Sequence, residues 1–477
     1  MAGQNHRIFW SVLAIAVMAA GRFLPATGQV SELGMEVCAI LLGAIIAYCT
    51  VGMIWPSILA LILLGLTDGG SVTTVFRDSF GNPIVLYLFF LLIFGTVIDE
   101  SGLADYFARW LVTRKIARGR PWLLTAFILF AAYFTGLFIG MIPATVICWA
   151  IIYNICAQAG YGKGDPWPLL VLYGVLFLST VSSGVMPFQM GVVTNYGILS
   201  EVSGGALTYE YLPYLLFAAV YSFTVFIAYI FCVKHVYQPD LSALRRINAA
   251  EGAGSMDKKQ KTALALLLLF VFGLMLPSFL PPSSELKTIL DNIGPAGWTA
   301  LVLAVGMLLQ VEGKALVDFP ALAAKGLVWD VLLMMATIFT LSGSVVRPET
   351  GVPAFLTETL LPLLGGINPV VFTGLILCLI TIAANLINNL VVLVVSIPLL
   401  YTLSAGMDVN VVAITGLLIF LGNACFLFPS SCPQASMIYQ NLQWVEPAAV
   451  RRLAVLSLVI LLAAGFMIGL PLSLILL

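Results

Sequence analysis

Val370-Val-Phe-Thr-Gly-Leu-Ile-Leu-Cys-Leu-Ile-Thr-Ile-Ala-Ala-Asn385-Leu-Ile-Asn388-Asn389-Leu-Val-Val-Leu-Val-Val-Ser-Ile-Pro-Leu-Leu-Tyr-Thr-Leu-Ser404 is an apolar run with two adjacent amides in its middle. It is too long for one bilayer crossing of about 20 residues and too short for two crossings plus a loop. Residues 121–158 have the same character, with a break at Ile142-Pro143-Ala144-Thr145. The shorter arm of each reads as roughly 14–15 residues, or about 22 Å of helix. A hydrocarbon core is about 30 Å thick. Both runs therefore read as re-entrant hairpins. The alternative is a pair of short, tilted spans with the break at the far surface.

The composition demands such a setting. Of 477 residues, 61% are hydrophobic and 9% charged, against about 25% charged in soluble domains. Mean hydropathy is +1.07. No water-soluble globule could hide that much apolar surface, so the solvent is lipid. A cytosolic enzyme, a nucleic-acid binder and a secreted disulfide scaffold are excluded. The continuous apolar runs exclude an alternating β-barrel. A net charge of −1 leaves no polyanionic partner.

Further apolar segments fall near 8–20, 36–50, 54–67, 83–104, 167–200, 211–234, 262–281, 296–311, 328–346, 410–441 and 453–476. The expectation is an all-α polytopic membrane protein with about 11 transmembrane helices plus two re-entrant hairpins. Residues 8–20 read as a first span rather than a cleavable signal. With the N-terminus cytoplasmic and the C-terminus outside, only Arg22, Arg77, Lys287 and Arg347 of the 21 Lys and Arg residues face outward. The positive-inside rule supports that orientation. Residues 235–261 form the longest polar interval, a basic cytoplasmic linker that includes Asn248–Ser255.

On either side of that linker the elements repeat in order. Phe90–Leu103, the hairpin 121–158 and the span 167–200 match Trp329–Gly343, the hairpin 370–404 and the span 410–441. An offset of 246 residues sets Ala159-Gly160 on Ala405-Gly406 and Pro143 on Asn389. The two hairpin mouths face opposite sides, which makes an inverted-topology repeat of the kind secondary transporters use. The division follows as 1–120 (first scaffold helices), 121–234 (first-repeat transport elements), 235–261 (linker), 262–369 (second scaffold helices) and 370–477 (second-repeat transport elements).

Two spans carry breaks: Ser182-Ser183-Gly-Val-Met-Pro187-Phe-Gln189-Met-Gly191, and Asn423-Ala-Cys-Phe-Leu-Phe-Pro429-Ser430-Ser431-Cys432-Pro433-Gln434-Ala-Ser436. Proline removes an N–H and disrupts the helix. In lipid the freed carbonyls need protein, water or an ion. Such breaks expose carbonyls to cations and half-helix N-termini to anions. Candidate substrate ligands are Asn388, Asn389, Ser431, Cys432 and Gln434, with Thr145, Ser183 and Gln189 from the first repeat. Asn389, Ser430 and Ser431 form the candidate sodium site. Asn385 lies one turn before the second tip. The bland readings are that the amides cap the hairpin helices and that the serines bond their own backbone. Asp99, Glu100 and Asp330 read as solvated span ends or caps, and Arg347 as a snorkelling side chain.

Nothing supports covalent chemistry. The sequence has no His-Glu-x-x-His, no Gly-x-Ser-x-Gly, no P-loop and no acidic pair at mid-membrane depth. The eight cysteines lie in apolar stretches and read as small hydrophobes. His6 and His235 stand near membrane edges, so no histidine metal site is expected.

The element order and the broken spans resemble the divalent-anion/sodium symporter family of dicarboxylate, citrate and sulfate carriers, over about residues 35–477. The best local matches are Trp329-Asp-Val-Leu-Leu and Phe426-Leu-Phe-Pro-Ser-Ser-Cys-Pro-Gln-Ala435, set against that family's Pro-x-x-Thr-Pro-Pro-Asn. Pro429 and Pro433 are retained there, while Cys432, Gln434 and Ala435 replace Thr, Pro and Asn. The resemblance implies a homodimer whose transport domain moves like an elevator against a scaffold domain. It implies hairpin tips that bind a substrate carboxylate and sodium, and no other cofactor. Asn389 retains the tip asparagine. Pro143, Ala144 and Ser182 stand where the first sodium site is implied, with most polar atoms of that motif replaced. The expected function is secondary transport of a small anion, such as a di- or tricarboxylate, across a bacterial inner membrane, coupled to sodium. The alternatives are an exchanger or proton-coupled carrier of another anion (sulfate or arsenite-type), a cation carrier, and a non-transporting membrane sensor. An intramembrane enzyme ranks last.

Overall fold

Proline and capping side chains set where many of the helices begin. Pro83, Pro121, Pro166, Pro369, Pro433 and Pro447 each occupy the first position of a helix, where the missing N–H costs nothing. Asn82, Asn368 and Asn410 cap the helices after them, accepting from Ile84, Val370 and Ala413 at 2.9, 2.9 and 3.0 Å. Asp257 and Gln260 form a reciprocal capping box, which satisfies two otherwise orphaned donors.

The computed structural model describes residues 2–67, 70–113, 119–246, 254–364, 367–404, 407 and 409–477. Arg114, Lys115, Arg118, Ala405-Gly406 and part of the 248–255 linker stretch lie outside the described residues. The first half contains α1 Ala2–Ala20, α2 Glu32–Thr50, α3 Ile54–Gly65, α4 Val72–Phe80, α5 Pro83–Glu100 and α6 Leu103–Val112. It continues with α7 Pro121–Ile139, α8 Met141–Ala159, α9 Pro166–Ser182, α10 Met190–Val202 and α11 Tyr211–Cys232. The second half opens with α12 Lys258–Met275, α13 Glu285–Leu308, α14 Phe319–Gly326, α15 Trp329–Val345 and α16 Val352–Leu364. It ends with α17 Pro369–Leu386, α18 Asn389–Ser404, α19 Val411–Asn423, α20 Pro433–Gln440, α21 Pro447–Ala464 and α22 Leu470–Leu476. Among the described residues the only sheet is a two-stranded ribbon, Gln310–Val311 against Lys314–Ala315.

The repeat is visible in the helix starts. Pro83 and Trp329 are 246 residues apart, Pro121 and Pro369 are 248, Met141 and Asn389 are 248, and Pro166 and Val411 are 245. Five crossings separate the two hairpins: α9–α10, α11, α12, α13 and α15. An odd number puts their mouths on opposite faces. Loop contacts sort accordingly. On one face Lys325 Nζ reaches Glu100 Oε1 at 2.7 Å and Lys259 Nζ reaches the Glu100 carbonyl at 2.6 Å. Tyr161 donates to Asp240 O and Asn441 Nδ2 to Tyr153 Oη on that same face. On the other, Asn82 Nδ2 meets Glu201 Oε2 at 2.9 Å, Ser31 donates to Glu349 O, and Gln29 bonds Glu358.

Several sequence expectations need correction. The hairpin arms are longer than expected: α7 and α8 have 19 residues each, α17 has 18 and α18 has 16. Gly140 alone turns the first hairpin, at φ 109° and ψ 165°, a conformation only glycine adopts readily. Pro143 is therefore not in the break. It lies in the first turn of α8, where proline is tolerated. Arm length does not establish re-entrance; the place of the first tip within the fold supports it. The first tip packs on the break of α9–α10, with the 13 residues of α10 still to run beyond it, about 20 Å of helix. Helices α4, α6, α14 and α16 are short elements between the spans. α6 buries Leu103, Ala104, Ala108 and Val112 and exposes the Asp105–Arg109 pair. α13 starts at Glu285 rather than 296, kinked at Gly294-Pro295. By length and composition ten helices of the described residues can cross a membrane, or eleven if the 76° pair α14–α15 counts as one. Three of those ten are hairpin arms.

The core runs along the first halves of the broken helices. α9 is buried from Trp167 to Ser182 almost without interruption, and α19 from Val411 to Gly422. Each hairpin packs on its own broken helix, and α10 packs on α18 and α19, joining the repeats.

Candidate functional site

Four helices end at the tips and breaks (α7, α9, α17, α19), and four begin there (α8, α10, α18, α20). Every such end leaves backbone groups without an intrahelical partner. Bringing eight of them to mid-membrane depth is tolerable only if side chains, water or ligands bond them.

In the second break this work falls to an asparagine and a few hydroxyls. Asn385 is fully buried. Its Nδ2 donates to Thr381 O at 2.9 Å and Ala424 O at 3.1 Å, and its Oδ1 accepts from Leu427 N at 3.1 Å. Ser431 Oγ donates to Asn385 O at 2.7 Å and Phe428 O at 2.8 Å. Asn389 Nδ2 donates to Asn423 Oδ1 at 3.0 Å, and Asn389 N meets Ser431 O at 3.4 Å. Asn388 Oδ1 caps its own tip through Leu390 N at 3.1 Å. Cys432 caps α20, its sulfur accepting from Ala435 N at 3.4 Å and donating to Cys425 O at 3.2 Å. Tyr439 Oη donates to Leu427 O at 2.7 Å. Gln434 is buried in the first turn of α20, while Ser430 is exposed.

The first break is satisfied differently. Tyrosine hydroxyls donate to its carbonyls: Tyr214 to Gly184 at 2.5 Å, Tyr209 to Pro187 at 2.7 Å and Tyr87 to Phe188 at 3.3 Å. Gln189 Nε2 ties the break to the hairpin through Leu137 O at 2.9 Å. Thr145 Oγ1 bonds Met141 O at 2.7 Å and lies 3.0 Å from Ser179 Oγ. Ser182 and Ser183 bond their own helix at Ser179 O and Thr180 O. Ala144 is buried and Pro143 half-buried. Gly136 allows α7 to lie on α9, since a Cβ there would sit 2.3 Å from Ser182 Oγ. The N-termini of α8 and α10 carry no side-chain cap.

The structure thus gathers Asn389, Ser431 and Cys432 around the second tip, and Thr145, Ser182 and Gln189 around the first. The two groups meet where α10 crosses α19: a Cβ on Gly191 would lie 3.6 Å from Asn423 Nδ2. Sequence reasoning left Asn195 and Asn423 out of the candidate set, along with the tyrosines that serve the first break. Single amides inside apolar runs were the available signal. Asp330 is exposed in the first turn of α15, and Glu100 is ion-paired at the end of α5, as expected of solvated ends. Arg347 lines a polar cavity of about 520 Å³ with Asp78, Asn82, Glu201 and Ser344. It therefore faces a pocket as well as the membrane edge.

A family model described as "Citrate transporter" matches residues 37–422. An uncharacterized transporter of Methanocaldococcus jannaschii is 21% identical over 337 residues, which cover 70% of this chain and 71% of that protein. Among solved structures, the YdaH transporter of Alcanivorax borkumensis, whose topology is described as unusual, superposes with a TM-score of 0.58 at 14% identity. That superposition covers 93% of this chain and 98% of that one. MtrF of Neisseria gonorrhoeae, described within a class of antimetabolite efflux pumps, gives a TM-score of 0.54 at 12% identity over 98% of this chain and 94% of its own. At these identities the two structures speak to the fold.

Proposed function

The chain belongs to the citrate transporter family, and on that premise we propose that it carries a small di- or tricarboxylate across the bacterial inner membrane by secondary active transport. Its N-terminus is cytoplasmic in this reading, and it works as a homodimer in which the hairpins and broken helices move as an elevator against the remaining helices. The observation that carries the reading is that four helices, α8, α10, α18 and α20, begin at the tips and breaks. Each such end holds a partial positive charge of about half an elementary unit. Two of them have no side-chain cap competing for their N–H groups. An anion is the ligand that such ends favour.

Sodium is the proposed coupling ion. Among the described residues no Asp or Glu stands in either tip or break. A proton-coupled carrier would use an intramembrane carboxylate or histidine as its relay. The anion's charge and the amide oxygens of the second tip supply what a monovalent cation needs instead.

Ligand-dependent thermal unfolding of the purified protein tests the reading. Citrate or succinate should raise the unfolding midpoint, and more so in sodium chloride than in choline chloride. Midpoints indifferent to both carboxylates in both salts would contradict it and leave the membrane-sensor alternative in place.

A further inference from the structure

At the junction of the two repeats one buried oxygen has nothing to bond. Asn195, in the second turn of α10, is 3% exposed. Its Nδ2 donates to Gly191 O at 2.6 Å. That contact fixes the amide, because turning it over would set oxygen against oxygen. Asn195 Oδ1 is left without a partner. Among the described residues the other buried side-chain atoms in that condition are hydroxyls, on Thr135, Tyr173, Thr415 and Ser457. A hydroxyl can rotate and donate; an amide oxygen can only accept. A buried acceptor left bare in a native structure calls for an explanation.

Asn195 and Thr194 line a small cavity of about 30 Å³ between α10 and the second hairpin, with Gly191, Asn423 and Met335 around it. Asn423 turns its Nδ2 to Ile419 O at 2.7 Å, and its Oδ1 takes Asn389 Nδ2 at 3.0 Å. Asn195, Asn389 and Asn423 thus all point a nitrogen at a protein oxygen. What remains for a ligand is oxygen: Asn195 Oδ1, the second lone pair of Asn423 Oδ1 and the Thr194 hydroxyl. These side chains offer an anion no donor beyond the Thr194 hydroxyl. The lining contains no carboxylate, which divalent cations normally require. Neutral oxygens suit a monovalent hard cation.

We propose that these three side chains form a monovalent-cation site shared between the two repeats, occupied by the coupling ion. As a coupling site it rests on the transporter reading above. Because the lining is neutral, the ion is held best when a substrate anion lies close by. Ion and anion therefore bind cooperatively, each raising the other's affinity by the same factor. The site differs from the one expected at Ser430 and Ser431, since it draws a ligand from the first repeat and so senses how the repeats are packed.

Binding can be read without transport. The full-length protein in detergent is titrated with sodium chloride against choline chloride at constant ionic strength, and its unfolding midpoint followed. The wild type should be stabilised by sodium, with citrate lowering the half-maximal sodium concentration. Asn195→Ala should raise that concentration at least tenfold. Asn195→Asp keeps an oxygen at the site and should respond at or below the wild-type concentration. Should the alanine variant fail to give a single peak on size exclusion, the aspartate variant decides, and a folded Asn195→Asp without a sodium response overturns the proposal. So does an alanine variant with the wild-type sodium response, which would mark the cavity as a water site. Sodium stabilisation without carboxylate uptake in vesicles would overturn the transporter reading alone.

Discussion

At the scale of single residues, Asn385 and Asn389 carry the same amide chemistry but make opposite predictions. Asn385 bonds Thr381 O, Ala424 O and Leu427 N from a fully buried position. Removing it strands buried backbone groups, at roughly 1–3 kcal/mol for each. Asn385→Ala is expected to lower the unfolding midpoint clearly and to weaken every ligand response with it. Asn389 Nδ2 donates to Asn423 Oδ1 at 3.0 Å, and the residue stands at the N-terminus of α18. Asn389→Ala should leave the midpoint near the wild-type value and abolish carboxylate uptake. Equal uptake in that variant would remove the second tip from the binding site. The place of Asn389 at the hairpin tip was legible in the sequence, because paired amides in an apolar run are costly unless bonded. Asn195 and Asn423 were not, because a lone amide reads as helix interior until the crossing of α10 with α19 brings the two together.

At the scale of elements, the hairpins depend on two glycines for different reasons. Gly140 occupies φ 109°, ψ 165°, with nothing near its missing side chain. Gly140→Ala adds only backbone strain, about 1–3 kcal/mol, and should loosen the first tip without steric conflict. Gly136→Ala forces a methyl group to 2.3 Å from Ser182 Oγ and should push α7 off α9, with loss of uptake. As a control, Gly95 in α5 meets nothing within 4 Å, so Gly95→Ala should be neutral or stabilising by up to about 1 kcal/mol. Thermal unfolding and uptake of the three variants together separate strain from collision. The broken spans were legible from Pro187, Pro429 and Pro433, since proline in a long apolar run forces a break. The first hairpin's turn was misplaced because Ile142–Thr145 holds the polar atoms while Gly140, silent in hydropathy, makes the turn. Helices of 8–13 residues such as α4, α6, α14 and α16 escaped notice because their patterns are short and amphipathic, and such patterns merge with the loops around them.

At the scale of the whole molecule, the two halves set the same elements on opposite faces, and this inversion is open to direct labelling. In a background freed of the native cysteines, Lys163→Cys and Lys287→Cys should react with a membrane-impermeant thiol reagent from opposite sides of sealed vesicles. Labelling of both from one side would break the odd count of crossings between the hairpins. The two breaks approach each other where α10 packs on α18 and α19, beside a cavity lined by neutral amides. That arrangement is suited to an anion and a monovalent cation bound together. The most direct measurement is uptake of labelled citrate and succinate into proteoliposomes, with an inward sodium gradient, with a proton gradient, and with unlabelled substrate inside. Uptake that the sodium gradient stimulates and that Asn389→Ala abolishes is the predicted result. Uptake driven equally well without sodium, or unchanged in that variant, would contradict it.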